Sequence, residues 1–417
     1  MTVPALKILM VSETLPARQL GGLAKHAVTL ANTLIDEGHE VTILGLAGQD
    51  DDASRREMGF KGTVIGALAL MPGWKEGLLG CFNPFKRLYF ARQMAQTIAA
   101  HAPGFDVVHY HGNLPILAAF VPDHINFVQT RHDQGIECLV HVRFKEGQVC
   151  TSTDAADCAA CATPFPNALQ RMMSAQAVKT YRQLATQALR KHKTIFVSQA
   201  ILGNAQRVLP ASAFTRAQVV HNFIDEHRVA QAVDSSPTLS STTSPPGNPQ
   251  VIIASRLDDA KGVRQFLAEW QRVGHSGARL IVVGDGPLRE AFESEYTSSE
   301  VTFLRHQPYT TTLQLTAQSQ ISVVPSQCEE ACSTTILEAL FLGLPCLALN
   351  RGGNPELARY QRWPGQLQLF DTIADLVAAL RDRLALHPYA HPPTERTSWT
   401  NSDVRAQLPR ILHVYEN

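Results

Sequence analysis

Glu330 and Glu338 are separated by seven residues, with Ser333, Thr334 and Thr335 between them at a predicted helix start. Amides and hydroxyls at such a start suit phosphate oxygens, and a carboxylate on either side can accept hydrogen bonds from sugar hydroxyls. A plainer reading competes. Thr335 followed three residues later by Glu338 has capping-box spacing, and Gly343 and Pro345 supply a stop signal. A second constellation is cationic. Arg256 ends a predicted strand, and Lys261 stands five residues on, before Gly262 and a helix. Arg binds a diphosphate as a fork and Lys as a compact charge. The alternative there is a surface cluster with Asp258 and Asp259. Gly21 and Gly22 precede a helix after the first predicted strand, where backbone amides could approach an anion or could simply form a turn. Gly284 lies in "VVGDGPLRE" (282–290), a glycine turn suited to a planar base, and "RGGNPEL" (351–357) is a further one.

Thiols form a third constellation. Cys138, Cys150, Cys158 and Cys161 have eleven, seven and two residues between them, ending in a C-x-x-C. Four thiolates are the number a tetrahedral structural zinc requires, and they leave no open position for catalysis. An iron–sulfur cluster and ordinary loop thiols are the alternatives.

These residues need a frame, and the rest of the chain supplies one. At 417 residues the chain predicts two domains, and 45% hydrophobic with 18% charged residues is a globular composition. Zero formal net charge argues against a protein that blankets nucleic acid or an anionic membrane. The opening "MTVPALKILMVSE" reads as a first strand rather than a signal peptide, and no apolar run has membrane-spanning length. Eight cysteines in that setting point to a reducing compartment, so a cytoplasmic location is expected.

Buried strands are predicted at 6–12, 40–46, 106–112, 126–132, 194–199 and 218–224, then at 251–257, 279–286, 301–306, 321–326 and 344–349, alternating with helical segments. The fold class is therefore α/β, with two doubly wound Rossmann-like domains and ligands at the carboxyl ends of the strands. Residues 1–233 form the first domain, with 133–192 too long for a simple crossover and carrying the four cysteines. Residues 234–250, with five Ser and four Pro, read as a linker. The second domain covers 251–400, and 401–417 is a helix expected to pack back toward the first. Residues 74–93 mix aromatic and basic side chains, so they read as a core-packed helix with a basic edge or as a contact with a membrane surface.

Taken in order, "GGLAKH", "SRLDDAKG", "GDGP", "PSQCEEACSTTILEA" and "GGNPE" resemble the motifs of the retaining nucleotide-sugar glycosyltransferases of family 4, which have the GT-B architecture. The resemblance covers nearly the whole chain. It implies a hexosyltransferase that uses a nucleotide-diphosphate sugar donor, a UDP- or GDP-sugar, in polysaccharide or glycolipid assembly. The acceptor would be a carbohydrate or lipid-linked, with peripheral contact at the inner membrane face through 74–93, no nucleic acid and no catalytic metal. By position, Glu338 matches the carboxylate that holds the ribose hydroxyls, Glu330 the one facing the donor sugar, and Arg256 with Lys261 the pair that grips the diphosphate. Gly22 matches the loop whose amide approaches the donor. His132 matches the histidine that faces the donor sugar, and His111 reads as structural. The implied mechanism is front-face attack, with a leaving diphosphate oxygen drawing the acceptor proton. Cysteine-bearing insertions similar to this one occur in some members of the family. There are departures: Cys332 and Ser333 stand where relatives carry an aromatic and a glycine, and "IASRL" replaces the usual Gly-Arg ending. A nucleotide-sugar epimerase and an inactive homologue serving as a binding subunit are the rival readings.

Overall fold

The computed structural model describes residues 4–16, 21–48, 58–70, 76–165, 167–235, 249–274, 277–385 and 401–416. They form two compact units. The first comprises Met1–Arg143, Thr151–Asn222 and Gln407–Asn417, and the second Phe144–Cys150 and Phe223–Ala406.

The first unit is built on β1 (Lys7–Val11), β2 (Glu40–Leu46), β3 (Thr63–Leu68), β4 (Val107–His111), β5 (Phe127–Arg131), β6 (Lys193–Phe196) and β7 (Ala217–Val219). They pair in parallel in the order β7-β6-β5-β4-β1-β2-β3. Ile8, Leu9, Met10 and Val11 are each 0% exposed, since β1 lies mid-sheet and is covered on both faces. That is why its sequence is a continuous apolar run and not an alternation. Parallel strands need crossovers, here α1 (Gly22–Asp36), α2 (Phe85–His101), α3 (Ala155–Ala162), α4 (Ala168–Lys191) and α5 (Gln199–Gln206). The winding reverses between β1 and β4, so the loops leaving those two strands diverge and open a crevice for ligands.

Two expectations for this unit change in detail. The segment 133–192 contains its own crossover helix, α4, which buries Val178, Tyr181, Ala185, Ala188 and Leu189. The added part is what precedes it: a hairpin (Phe144–Lys145 with Gln148–Val149) and α3. Residues 74 and 75 lie outside the described residues. The rest of 74–93 folds as a short hairpin, Gly77–Leu78 with Cys81–Phe82, leading into α2. Phe82, Phe90 and Arg87 are buried, and Arg87 pairs with Glu76 at 2.5 Å and donates to the Leu139 carbonyl at 2.6 Å. Leu78, Leu79 and Phe85 point outward.

The second unit has β8 (Gln250–Ala254), β9 (Arg279–Val283), β10 (Val301–Phe303), β11 (Ile321–Val324), β12 (Cys346–Leu349) and β13 (Leu367–Phe370), all parallel, in the order β10-β9-β8-β11-β12-β13. Its helices are α6 (Glu226–Asp234), α7 (Val263–Val273), α8 (Arg289–Tyr296), α9 (Tyr309–Gln318), α10 (Thr334–Phe341), α11 (Ile373–Ala385) and the start of α12 (Val404–Glu416). Val263, Phe266, Leu267 and Trp270 repeat at helical spacing and form the core face of α7. The unit begins at Phe223, ahead of the Ser/Pro-rich segment, of which 236–248 lie outside the described residues, as do 386–400. The reason is that α6 packs on α9. Gln314 donates to the Ala232 carbonyl at 2.8 Å, and the Arg228 guanidinium lies 5.7 Å from the Tyr309 ring centre. No helix among the described residues is long and apolar enough to cross a membrane.

From Gln407 onward the last helix belongs to the first unit. Tyr415 shares a hydrogen bond of 2.7 Å with His109 Nδ1, while its carbonyl accepts from Asn126 at 2.9 Å and from the Lys193 ammonium at 3.1 Å. A cation beside the last carbonyls of a helix complements its dipole. Tyr415→Phe leaves a buried imidazole nitrogen without its hydroxyl and should cost about 1–3 kcal/mol. Chemical denaturation measures this, and an unchanged midpoint would show that the terminal helix is not held by this bond.

Candidate functional site

In the second unit the winding reverses between β8 and β11, and the loops leaving these strands carry the charged residues picked out above. The two loops interlock through backbone, since the amides of Gln327 and Cys328 both donate to the Ala260 carbonyl, at 2.9 and 3.0 Å. Lys261 closes a turn begun by Asp258, whose carboxylate accepts its amide at 3.2 Å. Its ammonium then reaches Glu330 Oε1 at 2.6 Å. Two glycines permit this approach. A Cβ on Gly262 (φ +68°) would collide with the Pro325 carbonyl, and one on Gly352 (φ +54°) with the Glu330 carbonyl. Gly353 ties the same Glu330 carbonyl down with an amide at 2.7 Å.

Burial opposes both charges of the pair, and each partner offsets it for the other. Lys261 is raised above the usual lysine range, chiefly by Glu330, while Glu330 is lowered from the usual carboxylate range by Lys261 and by a hydrogen bond from Ser326. Arg256 behaves differently. Its side chain is 70% exposed and meets Asp258 at 3.2 Å, so the expected surface pairing with an acidic neighbour is present and is worth little. The guanidinium is free to exchange that partner for a ligand oxygen.

Glu338 corrects the capping-box expectation. Helix α10 begins at Thr334 with Ser333 as N-cap, and no side chain caps it. Glu338 therefore sits on the second turn, buried, where its carboxylate accepts from the Tyr309 hydroxyl at 2.9 Å. Ser333 is extended (φ −70°, ψ 111°), which serine adopts without strain, so the missing glycine does not distort the loop. Thr334 and Thr335 open the helix, where amides lack intrahelical partners. Gly284 donates its amide to the Arg305 carbonyl at 2.9 Å and lies against the Ser255 carbonyl, so it packs the two neighbouring loops together.

The first unit gathers a different set at its own reversal. Gly21 and Gly22 start α1, with open space where their side chains would be, so packing does not account for them. His26 lies on the first turns of α1, His109 and His111 on β4, and His132 directly after β5. The His26 and His132 rings meet edge to face at 4.6 Å, and His111 Nδ1 is 3.1 Å from His132 Nε2. Burial lowers all four rings below the usual histidine range, His26 and His109 to about 3. Beside them Asp133 accepts from Arg131 at 2.6 Å and lies 2.9 Å from His141 Nδ1; burial opposes its charge, but the Arg131 guanidinium and the contact with His141 hold it well below the usual carboxylate range.

His26, His109 and Tyr309 were not assigned from sequence, nor was Glu13, which accepts from the Tyr110 hydroxyl at 2.9 Å and the Asn113 amide at 2.6 Å. The alternation of His109 and His111 on one strand was a readable signal, since residues two apart share a face. Glu137 was also passed over; burial pushes its carboxyl up to about 8.

All four cysteines lie between β5 and α4. Cys138 Sγ accepts the Arg143 amide at 3.4 Å. Cys158 lies one turn from Cys161 on α3, with its sulfur 3.4 Å from Arg182 and 3.9 Å from the Glu137 carbonyl. Cys150 ends the hairpin that clusters with the second unit. Among the described residues, the side chains close enough to share an ion are His26, His111 and His132, not the thiols.

Comparison with known proteins places this geometry. The model for "Glycosyltransferase Family 4" matches residues 20–228, and that for "Glycosyl transferases group 1" matches 248–385. The chain is 26% identical over 165 residues to a sulfoquinovosyl transferase of Arabidopsis thaliana, a match covering 37% of this chain and 31% of that protein. It is 23% identical over 403 residues to the phosphatidylinositol N-acetylglucosaminyltransferase gpi3 subunit of Schizosaccharomyces pombe, covering 93% of this chain and 77% of that one. Among solved structures, Anabaena HepE in complex with UDP and glucose superposes with a TM-score of 0.67 at 16% identity, covering 99% of this chain and 100% of that one. At that identity the likeness is one of fold: two Rossmann-like parallel sheets in the GT-B manner.

The Lys261–Glu330 pair has a defined pH window. Glu330 is depressed, so its contribution is present above about pH 4.5 and fades as pH falls; Lys261 is raised, so its contribution is full below about pH 10.5 and fades above it. Glu330→Gln should cost about 1.5–3 kcal/mol at neutral pH, the scale of a hydrogen bond to a charged group. Unfolding followed from pH 7 down to pH 3 should show wild type and variant converging. A difference that stays constant would remove the pair from the ledger.

Proposed function

Because the chain belongs to glycosyltransferase family 4, we propose that it moves a sugar from a nucleotide-diphosphate donor to an acceptor hydroxyl with retention of anomeric configuration. The observation that carries this reading is the Lys261–Glu330 pair at the β8/β11 reversal, with the buried Glu338 and the uncapped start of α10 beside it in sequence. This one set offers a fixed cation, a partner carboxylate, free helix amides and a second carboxylate. The cation and the amides suit a diphosphate, the partner carboxylate a sugar and the second carboxylate a ribose. HepE, bound to UDP and glucose, supports a UDP-sugar as donor.

In this reading Lys261, Arg256 and the amides at Ser333–Thr335 stabilise the negative charge that grows on the departing diphosphate. Fixed charges aimed at developing charge are the largest usual source of rate enhancement. Lys261 is preorganised because Glu330 holds it, and Glu330 in turn is held ionised to accept from donor-sugar hydroxyls. Glu338 takes the ribose hydroxyls, with Tyr309 fixing its carboxylate. Gly22 offers its amide to the donor, and His132, kept neutral by burial, is a hydrogen-bonding ring for the donor sugar and not a charge.

We further propose a lipid-linked acceptor, met at a membrane surface on the cytoplasmic side. The name of one relative, a phosphatidylinositol N-acetylglucosaminyltransferase subunit, supports the lipid acceptor. The first unit exposes Leu78, Leu79 and Phe85 beside Leu169, Met172 and Met173 of α4, and Gln170 of that helix donates to the Leu79 carbonyl at 2.8 Å. Arg171 on the same turn of α4 is exposed and suits anionic headgroups.

Lys261→Ala and Arg256→Ala should each lower turnover of a UDP-sugar by roughly 10²–10³-fold, the scale of losing one preorganised stabiliser. Nucleotide release measured with and without acceptor checks this, and near-wild-type turnover in both would remove the diphosphate assignment. On the acceptor side, the chain should float with vesicles of anionic phospholipid. Leu79→Glu combined with Phe85→Glu should abolish flotation without altering nucleotide binding. Equal flotation of both proteins would show that this face does not meet lipid.

A further inference from the structure

The first unit contains one polar cluster that glycosyl transfer does not require in full. His26, His111 and His132 come from three different elements, α1, β4 and the loop after β5, yet each presents a ring nitrogen within 4.8 Å of the other two. His111 Nδ1 and His132 Nε2 stand 3.1 Å apart. Imidazole binds a zinc-class dication at about 2.0–2.1 Å, so two ligand nitrogens in a tetrahedral site are about 3.3 Å apart. The pair already has that spacing. The third nitrogen is near enough that a small ring movement completes the set.

The state of the rings fits the same end. Burial keeps all three imidazoles neutral at pH 7, and the neutral ring is the form that offers a lone pair to a metal. His111 Nε2 is buried with no hydrogen-bond partner among the described residues, while its Nδ1 shares with His132 Nε2 the hydrogen bond that a common ion would replace. The nearest carboxylate in sequence, Asp133, is taken by Arg131 and His141. The donor set is therefore three neutral nitrogens with a fourth position open. Such a set selects zinc, copper, nickel or cobalt over magnesium and calcium, which prefer oxygen.

We propose that His26, His111 and His132 form a binding site for a transition-metal dication of the zinc class, separate from the four cysteines. A consequence follows that rests on the transferase reading: a metal held by His132 withdraws that ring from the donor sugar, so the site acts as a metal-sensitive brake on transfer.

The test uses the full chain, stripped with a chelator and titrated with Co²⁺ as a spectroscopic stand-in for zinc. The expected result is one tightly bound Co²⁺ with visible d–d absorption and no thiolate charge-transfer band. Affinity should fall at least tenfold in His26→Gln and be lost in His111→Ala, while Cys158→Ser leaves the spectrum unchanged. Since His111→Ala opens a buried space, circular dichroism and melting are compared for each variant, and His26→Gln carries the conclusion if the alanine variant unfolds. A folded wild type that binds no Co²⁺ overturns the proposal. So does a spectrum with thiolate character that disappears in Cys158→Ser and survives His26→Gln. Turnover is read separately: micromolar Zn²⁺ should inhibit wild type reversibly by chelator without displacing UDP. If Co²⁺ binds through the histidines but Zn²⁺ leaves turnover intact, the metal site stands and the role of His132 in transfer falls. The cobalt spectrum is also independent of whether any sugar is transferred.

Discussion

Every strand in both sheets runs parallel to its neighbours, and this single hydrogen-bonding constraint organises the rest. A parallel ladder cannot be closed by a tight turn, so each strand must hand over to a helix that returns the chain to the opposite end. All the loops that leave strand carboxyl ends then lie on one edge of their sheet. Where strand order reverses, two of those loops part company and leave a gap lined by backbone groups. In the second unit that gap has Lys261 from one loop and Glu330 from the other, at 2.6 Å. In the first it has His26, His111 and His132. Neither set is contiguous in sequence. The sheet topology makes each a neighbourhood.

The two neighbourhoods use burial in opposite ways. Around Lys261 and Glu330, desolvation is opposed by mutual attraction, so both groups keep their charge and hold each other in place. Around the imidazoles the neighbouring carboxylate, Asp133, is engaged by Arg131 and His141, and desolvation wins, leaving uncharged rings in contact at 4.0–5.4 Å between centres. One unit therefore presents fixed charge and the other presents lone pairs. A reaction that develops negative charge on a leaving group while handling an uncharged sugar can use both kinds of surface.

Much of this was legible before any coordinates. The interior strands were found because mid-sheet strands are covered on both faces and read as unbroken apolar runs. The strands passed over, β3 and β13, lie at sheet edges, and the half-buried pattern of Thr63–Leu68 does not stand out as such a run. Candidate site residues were marked where a motif holds them together, as in the segments around Lys261 and Glu330, which the structure brings to 2.6 Å. Residues joined only by topology were lost: Tyr309 is 29 positions from Glu338, and His26 is 106 from His132. The capping box failed because the helix starts two residues earlier than its spacing required, with Ser333 and not Thr335 as N-cap.

The seating of Tyr415 against His109 bears on how the molecule is made. These partners are 306 residues apart, and the first unit is completed by the last eleven residues of the chain, Gln407–Asn417. During synthesis at about 5–20 residues per second, the sheet of the first unit emerges long before the helix that finishes it. A nascent first unit must wait, with the His109 side of its core incomplete, until residues 407–416 have been made. Its last helix is separated from its sheet in time by the whole of the second unit, a delay that raises the demand for chaperones.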